Sequence, residues 1–504
     1  MCGIIGLYSQ KQVSPEIFEG MVHLQHRGQD AAGILTFDNQ TNRFHLKKGA
    51  GLVKNIFSNA NHLLQDLPGL MGLGQVRYPT NGSAFDLNNA QPFMTNYPYG
   101  IAMVHNGNLS NYDELKEELE SKNRIHCNTG SDLECLLQIF AIKLAKLDKT
   151  TDLFENICLA VEEVYKRARG GYSVIAIIAG KGMVAFRDPH GIRPLVIGKR
   201  DNHSDSYQND YIFASEPNMF YSMDFESAGD VGNGEVVFID LQGTVNRRKI
   251  RDEEFTPDAF EYIYFARPDA IINDISVYRS RLRMGQNLAE KWKANYPDLV
   301  PDVVIPVPFS SNTSALAMAG QLGIRYTEGL YKNPFVGRTF IMPGQDKRRK
   351  SVLQKLSPQI HEIRNKKVMI LDDSIVRGTT SREVVKIVRD AGAKEIYFVS
   401  ACPPLFYPDF YGISIPTQQE LIASQMNEEQ MRQFMGVEAL MFQDVQGLTE
   451  AILRKGKHNA KRLSMPYLDG DYITKDIDVS KFKTIDPETF STKKAIVNYD
   501  KIEE

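Results

Sequence analysis

Apolar and polar positions alternate in blocks along the second half of the chain, and each block has the length of a strand or a helix. Residues 368–371 form a short apolar run that ends in two adjacent carboxylates. From 381 to 391 apolar residues recur at helical spacing, and Gly392 follows where a helix would end. Two more apolar runs, at 303–307 and 396–401, are closed by prolines. This alternation predicts an α/β domain with parallel strands joined by right-handed crossovers.

The loop after the first of these strands carries candidate binding chemistry. It opens with Asp372 and Asp373 and contains the hydroxyls of Ser374, Thr379 and Thr380. Ligands of open α/β sheets bind at the carboxyl ends of the strands, and a loop that enters a helix offers free N–H groups to a phosphate. Two carboxylates would repel a bare polyphosphate, so they imply a bridging cation or sugar hydroxyls. The pattern therefore indicates a phosphorylated sugar as the ligand.

The first half of the chain has a different pattern, in which short apolar runs are separated by glycines. Examples are the runs at 34–37, 101–104 and 236–239, and such runs are typical of layered β structure. The polar segment 246–258 is the best candidate for a linker. We therefore predict a first domain over 2–250, a second over 260–470 and a C-terminal tail over 471–504.

Composition narrows the class of protein. The 504 residues include 42% hydrophobic and 24% charged residues, which is typical of a soluble globular protein of two domains. The net charge of -3 argues against a nucleic-acid partner, and no apolar stretch approaches the roughly 20 residues that cross a bilayer. The N-terminus has no secretion signal, so a cytoplasmic location is expected. The basic run 347–350 is either a solvated loop or a phosphate-facing one.

Cys2 is a candidate nucleophile. If the initiator methionine is removed, its thiol lies beside a free α-amino group, whose pKa of about 7.7–8.0 makes it a usable base. The amine could take the thiol proton directly or through a water, which would leave the reactive thiolate. The alternative interpretation is an inert thiol near the start of the chain.

Three later residues and segments could complete a site around Cys2. Arg77 follows a strand and could clamp a carboxylate, or form a surface ion pair. Asn106-Gly107 could form an oxyanion hole, or a hairpin turn. Asp132 begins a predicted helix and could bind an amino group, or cap that helix. Together these groups are suited to hydrolysis of the side-chain amide of glutamine.

The same segments resemble the glutaminase domain of class II amidotransferases, which are N-terminal-nucleophile hydrolases with a four-layer αββα sandwich. The resemblance is carried by Cys2-Gly3-Ile4, His26-Arg27-Gly28, Arg77-Tyr78-Pro79-Thr80, His105-Asn106-Gly107-Asn108 and Ser131-Asp132. It implies that Cys2 is the nucleophile and that Asn106 and Gly107 form the oxyanion hole. It also implies that glutamine is bound by Arg77 at its α-carboxylate and Asp132 at its α-amino group, with Arg27 and Thr80 as further contacts. No propeptide is expected before Cys2.

The second half resembles the type I phosphoribosyltransferases, which bind phosphoribosyl pyrophosphate (PRPP). A glutaminase domain in front of such a domain is similar to the glutamine PRPP amidotransferases. This resemblance implies that Asp372 and Asp373 lie near the ribose hydroxyls and a magnesium ion, and that Ser310 belongs to the metal site. It also implies a mobile lid that includes Lys332 and Arg338. The 5-phosphate would be held by Ser374, Arg377, Gly378, Thr379 and Thr380.

The resemblance also implies a reaction and its partners. Ammonia released from glutamine would attack C1 of PRPP, which gives 5-phosphoribosylamine, pyrophosphate and glutamate, the first committed step of purine synthesis. We expect one Mg²⁺ per subunit, feedback inhibition by purine nucleotides, and a homotetramer or homodimer. No iron–sulfur cluster is expected, because the five scattered cysteines do not form a suitable set.

Two other functions remain open from the sequence. The glutaminase could deliver ammonia to another acceptor, as the sugar-phosphate and asparagine-forming relatives do. The carboxylate-pair loop at 372–380 counts against that alternative. The chain could also be a PRPP-sensing regulator with an inactive catalytic domain, although the residues around Cys2 argue against it.

Overall fold

The computed structural model describes residues 2–58, 60–78, 86–147, 152–201, 209–334, 356–415, 417–454, 458–482 and 490. Several predictions fall outside these residues. They concern Thr80, Arg338, the central part of the proposed lid (335–345) and the basic run at 347–350.

Thirteen strands of the first half form two antiparallel sheets. The seven-stranded sheet has the order β11-β9-β10-β1-β4-β2-β3, and the six-stranded sheet has the order β13-β12-β8-β7-β6-β5. The strands are β1 Gly3–Tyr8, β2 Ala31–Asp38, β3 Arg43–Ala50, β4 Met71–Arg77, β5 Phe93–Thr95, β6 Ile101–Leu109, β7 Gly170–Ile178, β8 Gly182–Arg187, β9 Val196–Arg200, β10 Asp210–Ala214, β11 Glu226–Asp230, β12 Glu235–Asp240 and β13 Val245–Lys249. Alternate residues of each strand face the other sheet, so Ile4 and Leu35 pack with Ile175 between them.

Helices cover both outer faces of this pair of sheets. Ile17 and Met21 of α1 pack on the seven-stranded sheet, and Leu136 of α5 and Val161 of α6 pack on the six-stranded one. The helices are α1 Ser14–His23, α2 Val53–Ile56, α3 Ala60–Asp66, α4 Tyr112–Ser121, α5 Asp132–Ala145 and α6 Leu153–Arg167. The predicted αββα sandwich is confirmed.

The second half contains a five-stranded parallel sheet, as predicted. Its order is β17-β16-β20-β21-β22, and every neighbouring pair is parallel. The strands are β14 Ile271–Ile272, β15 Ile275–Ser276, β16 Val303–Pro306, β17 Arg325–Tyr326, β18 Leu330–Lys332, β19 Leu356–Pro358, β20 Lys367–Asp372, β21 Glu395–Ser400 and β22 Ala439–Phe442. The small pairs β14–β15 and β18–β19 are antiparallel and lie outside this sheet.

Helices lie on both faces of the parallel sheet, which explains why its central strands β16, β20 and β21 carry buried apolar side chains on both faces. Met369 of β20 packs with Trp292 of α7, whereas the next residue, Ile370, packs with Val384 of α10 on the opposite face. The helices are α7 Val277–Asn295, α8 Asn312–Leu322, α9 Ile360–Ile363, α10 Thr379–Asp390, α11 Glu428–Met435, α12 Val445–Leu453 and α13 Pro466–Asp469. Of the helices described, none is long and apolar enough to cross a membrane.

The predicted linker at 246–258 is wrong at its beginning. Residues 245–249 form β13, which pairs with β12 through a turn at Gly243. β13 is the edge strand of its sheet, and its side chains are exposed or half-buried. An edge strand with a solvated face carries the polar composition of a linker, so composition alone could not separate the two.

The C-terminal tail contacts both domains. Tyr472 packs on Phe410 of the second domain. Asp476 accepts a hydrogen bond from Ser110 Oγ of the first domain at 2.7 Å. The Arg169 guanidinium, also of the first domain, lies 3.2 Å from the same carboxylate. Residues 472–476 therefore belong to the contact region between the two domains, which we call the seam.

Ile370→Ala is expected to lower the free energy of unfolding by about 2–5 kcal/mol, because it leaves a cavity in the middle of the parallel sheet. The matched control is Ile271→Ala, whose side chain is 58% exposed and should cost at most about 0.5 kcal/mol. Urea denaturation of both variants measures the difference. Equal losses would contradict the assignment of Ile370 to the core.

Candidate active sites

Cys2 is held at both ends of its backbone. It lies immediately before β1, and its N–H donates to Asn106 Oδ1 at 3.2 Å. Its carbonyl accepts from Arg27 Nε at 3.1 Å. The thiol is nearly buried and lies 3.5 Å from the carbonyl oxygen of Tyr78. These contacts fix the main chain of the candidate nucleophile next to the pocket described below.

Asn106 and Gly107 lie inside β6, so the alternative interpretation as a hairpin turn is wrong. Within the described residues the Asn106 Nδ2 amide is buried and has no hydrogen-bond partner. A side chain at Gly107 would meet the Gly171 carbonyl oxygen at 2.1 Å, so only glycine fits the strand there. An orphaned buried donor is costly, and it marks a position where a ligand oxygen would bind.

The Gly107 N–H points away from the neighbouring strand β7. Gly107 pairs with Tyr172, whose N–H and C=O are both bonded to Asp188 on the far side. Both groups of a residue in an antiparallel ladder point the same way, so this pair exchanges no ladder bonds. The Gly107 N–H is therefore directed away from β7, and Gly107 and Cys2 line the same pocket.

A single pocket brings together four of the residues predicted for the glutaminase site, namely Cys2, Arg77, Gly107 and Asp132. Asp132 is the first residue of α5, and its Oδ2 accepts from the Leu109 N–H at 2.9 Å. Its carboxylate therefore joins α5 to β6 rather than capping its own helix. Tyr78, His105 and Ser131, which belong to the motifs named above but had no assigned role, also line the pocket, as do Gln75, Asn89 and Gln91.

The structure explains why Gln75 and Gln91 lie at the pocket. Gln75 stands two positions before Arg77 in β4, so both side chains share a face, and this spacing could have revealed it. Gln91 binds His105 twice, by accepting from its N–H at 2.8 Å and through a ring nitrogen at 2.7 Å. No local pattern indicates that second pair.

Arg27 lies in a fully buried ion-pair cluster. Its guanidinium donates to Glu216 and to both oxygens of Glu261, at 3.0 and 2.7 Å. His26 Nε2 is 2.9 Å from the same Glu216 carboxylate. Burial would raise the pKa of Glu216, but His26 and Arg27 outweigh it and hold that pKa far below its ordinary value. The sequence signalled neither Glu216 nor Glu261.

The second site surrounds the carboxyl end of β20. Asp373 accepts hydrogen bonds from Ser310 and from Ser374, the latter at 2.7 Å. Burial and the charge of Asp373 raise the pKa of Asp372 well above its ordinary value. Burial also raises the pKa of Asp373, although Ser310 and Ser374 partly oppose the rise. A buried carboxylate and a half-buried one beside it, both with raised pKa values, favour a cation as their partner.

The rest of the loop enters α10 through Gly378. This residue has a φ of 70°, and a side chain there would meet Ile422 Cδ1 at 2.4 Å, so glycine is required. Thr379 and Thr380 form the exposed first turn of α10, which offers unpaired N–H groups. Arg377 forms an exposed ion pair with Glu420 at 2.6 Å.

Lys332 stands across from this loop. Its Nζ lies 5.1 Å from the centre of the Phe309 ring. Its positive charge opposes the rise in the pKa of Asp373 that burial causes. The structure thus brings Ser310, Lys332 and the loop of residues 372–380 to one edge of the sheet.

The chain is similar to known proteins along its full length. The family of the glutamine amidotransferase domain matches residues 85–222. An amidophosphoribosyltransferase of Escherichia coli is 44% identical over 100% of this chain and 98% of its own length. That of Schizosaccharomyces pombe is 45% identical over 90% of this chain and 87% of its own length. The chain belongs to the amidophosphoribosyltransferase family.

Solved structures agree with this family. The glutamine PRPP amidotransferase of B. subtilis, complexed with ADP and GMP, superposes with a TM-score of 0.80 at 34% identity and covers 96% of this chain and 99% of its own. An allosteric regulatory enzyme of purine biosynthesis gives a TM-score of 0.81 at 33% identity, covering 97% and 99%. The predicted activity, amidophosphoribosyl transfer by a pentosyltransferase, is confirmed at the level of this family. The alternatives of another ammonia acceptor or an inactive regulator are not supported by these amidophosphoribosyltransferases.

Gly107→Ala should remove glutamine-dependent activity and destabilise the first domain by about 1–3 kcal/mol, because the methyl group would force β6 away from β7. Gly320→Ala in α8 is the control, since nothing lies within 4 Å of the added carbon. Thermal unfolding and glutamine turnover are the measurements. Full glutamine turnover in the Gly107 variant would contradict the close contact with Gly171.

Proposed function

We propose that the amidophosphoribosyl transfer is divided between the two sites, with Cys2 releasing ammonia from glutamine and the site at Asp372–Asp373 holding PRPP. The observation that carries the first assignment is the unpartnered Asn106 Nδ2 beside a cysteine whose backbone is held by that same side chain. One asparagine would then orient the nucleophile with its oxygen and stabilise the oxyanion with its nitrogen.

Removal of the initiator methionine would give Cys2 a free α-amine. The glutaminase half-reaction then begins with proton transfer from the Cys2 thiol to this amine, directly or through a water. The thiolate attacks the amide carbon, and the negative oxygen receives hydrogen bonds from Asn106 Nδ2 and the Gly107 N–H. The tetrahedral intermediate expels ammonia, which takes the proton from the amine. Water then hydrolyses the thioester, which releases glutamate and restores the thiol.

Two charged groups of the pocket suit the two ends of the substrate. Arg77 would bind the α-carboxylate of glutamine in bidentate fashion, and Asp132 would bind its α-amino group. The direct neighbours of Asp132 are the Leu109 N–H and His105 Nε2, at 2.9 and 3.1 Å. Each of these contacts uses one oxygen of the Asp132 carboxylate, and each oxygen can accept a further hydrogen bond. We further assign Thr80 as a substrate contact. Arg27 was also expected to contact glutamine, but it does not line the pocket and donates instead to the Cys2 carbonyl, so we assign it as a support of Cys2.

In the second half-reaction ammonia attacks C1 of PRPP, the bond to pyrophosphate breaks, and the anomeric carbon inverts. Positive charge that develops on the ribose is stabilised by the carboxylates of Asp372 and Asp373. The 5-phosphate would bind the N–H groups and hydroxyls from Ser374 through Thr380, and Lys332 and Arg338 would neutralise the pyrophosphate. A water-poor passage would keep ammonia unprotonated on its way, with residues 335–345 as its proposed wall.

The donor set at this site fits a magnesium ion. The residues that would hold it are Asp372, Asp373 and Ser310, all of which offer oxygen. Among the described residues no group of three or more His, Cys, Asp or Glu forms a metal cage, so substrate oxygens would have to complete the shell. When bound, Mg²⁺ would supply positive charge to the leaving pyrophosphate.

Regulation and assembly are proposed on the same basis. Because one solved relative is a complex with ADP and GMP, we propose that purine nucleotides inhibit this protein as well. We also propose a homo-oligomer, either a tetramer or a dimer.

Cys2→Ala should abolish glutamine-dependent synthesis of phosphoribosylamine and leave ammonia-dependent synthesis within about twofold of the wild type, because only the first half-reaction needs the thiol. The measurement is pyrophosphate release with each nitrogen source. Loss of both activities would refute the division between two sites.

Asp372→Asn combined with Asp373→Asn should lower PRPP turnover with ammonia by at least about 100-fold, because both groups that counter the ribose charge become neutral. Glutamine hydrolysis at Cys2 should persist. The control is Asp390→Asn at the exposed end of α10, which should change neither activity. Unchanged PRPP turnover in the double variant would remove these residues from the site.

A further inference from the structure

The carbonyl of Cys2 has an unusual partner. Cys2 precedes β1, whose pairing with β4 begins only at Gly3 and Val76. Arg27 Nε supplies a hydrogen bond to the Cys2 carbonyl in place of a strand neighbour. The peptide group that carries the nucleophile is thus oriented by a side chain rather than by the sheet.

That side chain is itself held by carboxylates of two different parts of the chain. Glu216 follows β10 of the first domain, whereas Glu261 begins the π-helical turn Glu261–Phe265 that leads into the second domain. Glu261 accepts from both terminal nitrogens of Arg27. Arg193 also lies 3.6 Å from the Glu261 carboxylate. All of these side chains are buried, so the contacts are not screened by solvent.

The π-helical turn is anchored from the side of the second domain. Arg281 of α7 donates to the carbonyls of Tyr262 and Ala266, at 2.9 and 2.8 Å. Glu216 accepts the Arg267 N–H at 3.0 Å just after the turn. The position of the Glu261 carboxylate is therefore fixed by contacts on both sides of the seam between the domains.

We propose that Glu261 is a positioning residue for Cys2, contributed from the start of the second domain and acting through Arg27. Without its charge, Glu216 is the one ionic partner left to Arg27 among the described residues, and the guanidinium turns toward it. Nε then leaves the Cys2 carbonyl, and the thiol loses its alignment with Asn106 and Gly107. The inference rests on the proposed role of Cys2 as nucleophile.

A purely stabilising role predicts a different outcome. If Glu261 only held the two domains together, its loss would weaken both half-reactions alike, as any buried break in the seam would. If it positions Cys2, the loss falls on glutamine chemistry, because the described side-chain partners of Arg27 are Cys2, Glu216 and Glu261 and do not include Asp373. The ratio of the two activities therefore separates the explanations.

The test uses the full-length protein with Glu261→Gln, which keeps the shape of the side chain and removes its charge. Asp210→Asn is the matched control, because Asp210 is equally buried and pairs with Arg200 at 2.7 Å far from Cys2 along β1. Three quantities are measured for each variant. They are kcat with saturating glutamine, kcat with ammonia, and the maximal rate at which a glutamine-analogue electrophile labels Cys2.

Glu261→Gln should lower kcat with glutamine and the maximal labelling rate by roughly 10- to 100-fold, as small misplacements of a reacting group do, with ammonia-dependent kcat within about twofold. Asp210→Asn should leave the ratio of the two activities unchanged. Equal losses with glutamine and ammonia, or an unchanged labelling rate, would overturn the proposal. If the electrophile fails to label Cys2 in the wild type, the role of Cys2 itself fails instead.

Discussion

Buried arginines paired with carboxylates from both halves of the chain set the relation between the two domains. Arg27 pairs with Glu216 and Glu261, and Arg193 pairs with Asp258 at 2.9 Å. Each charge is withdrawn from water, which costs several kcal/mol unless a well-placed partner offsets it. Separating the domains would leave these charges without their partners. The ion pairs therefore fix the relative position of the two domains as well as holding them together.

This constraint connects the fold to the proposed chemistry. The seam lies next to Cys2, because Arg27, which pairs with Glu216 and Glu261, also donates to the Cys2 carbonyl. On the other side Arg281 lies between the π-helical turn and Asp373, and burial lowers the pKa of Arg281 to about 10 while Asp373 opposes the decrease. The two sites therefore share one buried polar layer, although their own electrostatics differ.

The sequence predicted the elements where a local pattern reports burial. Residues 381–391 repeat apolar side chains at helical spacing, and the helix runs over Thr379–Asp390. In the preceding strand, β20, residues 368–371 are apolar on both faces because helices cover both faces of the sheet. The edge strand at 245–249 was mistaken for linker because its exposed side chains leave no apolar alternation. A local pattern thus predicts an element only when burial of that element leaves apolar side chains at regular spacing.

The sequence by itself determined the parallel α/β domain of the second half and the layered β structure of the first, since periodicity and glycine positions are local properties. The αββα arrangement and the roles of Cys2, Arg77, Asp132 and the loop at 372–380 were implied by the family resemblance of short motifs. Only the tertiary structure decided which atoms meet. Glu216 and Glu261 reach Arg27 from 189 and 234 residues away. The strand register between β6 and β7 directs the Gly107 N–H away from β7. Such contacts depend on how elements pack, which no neighbouring residue records.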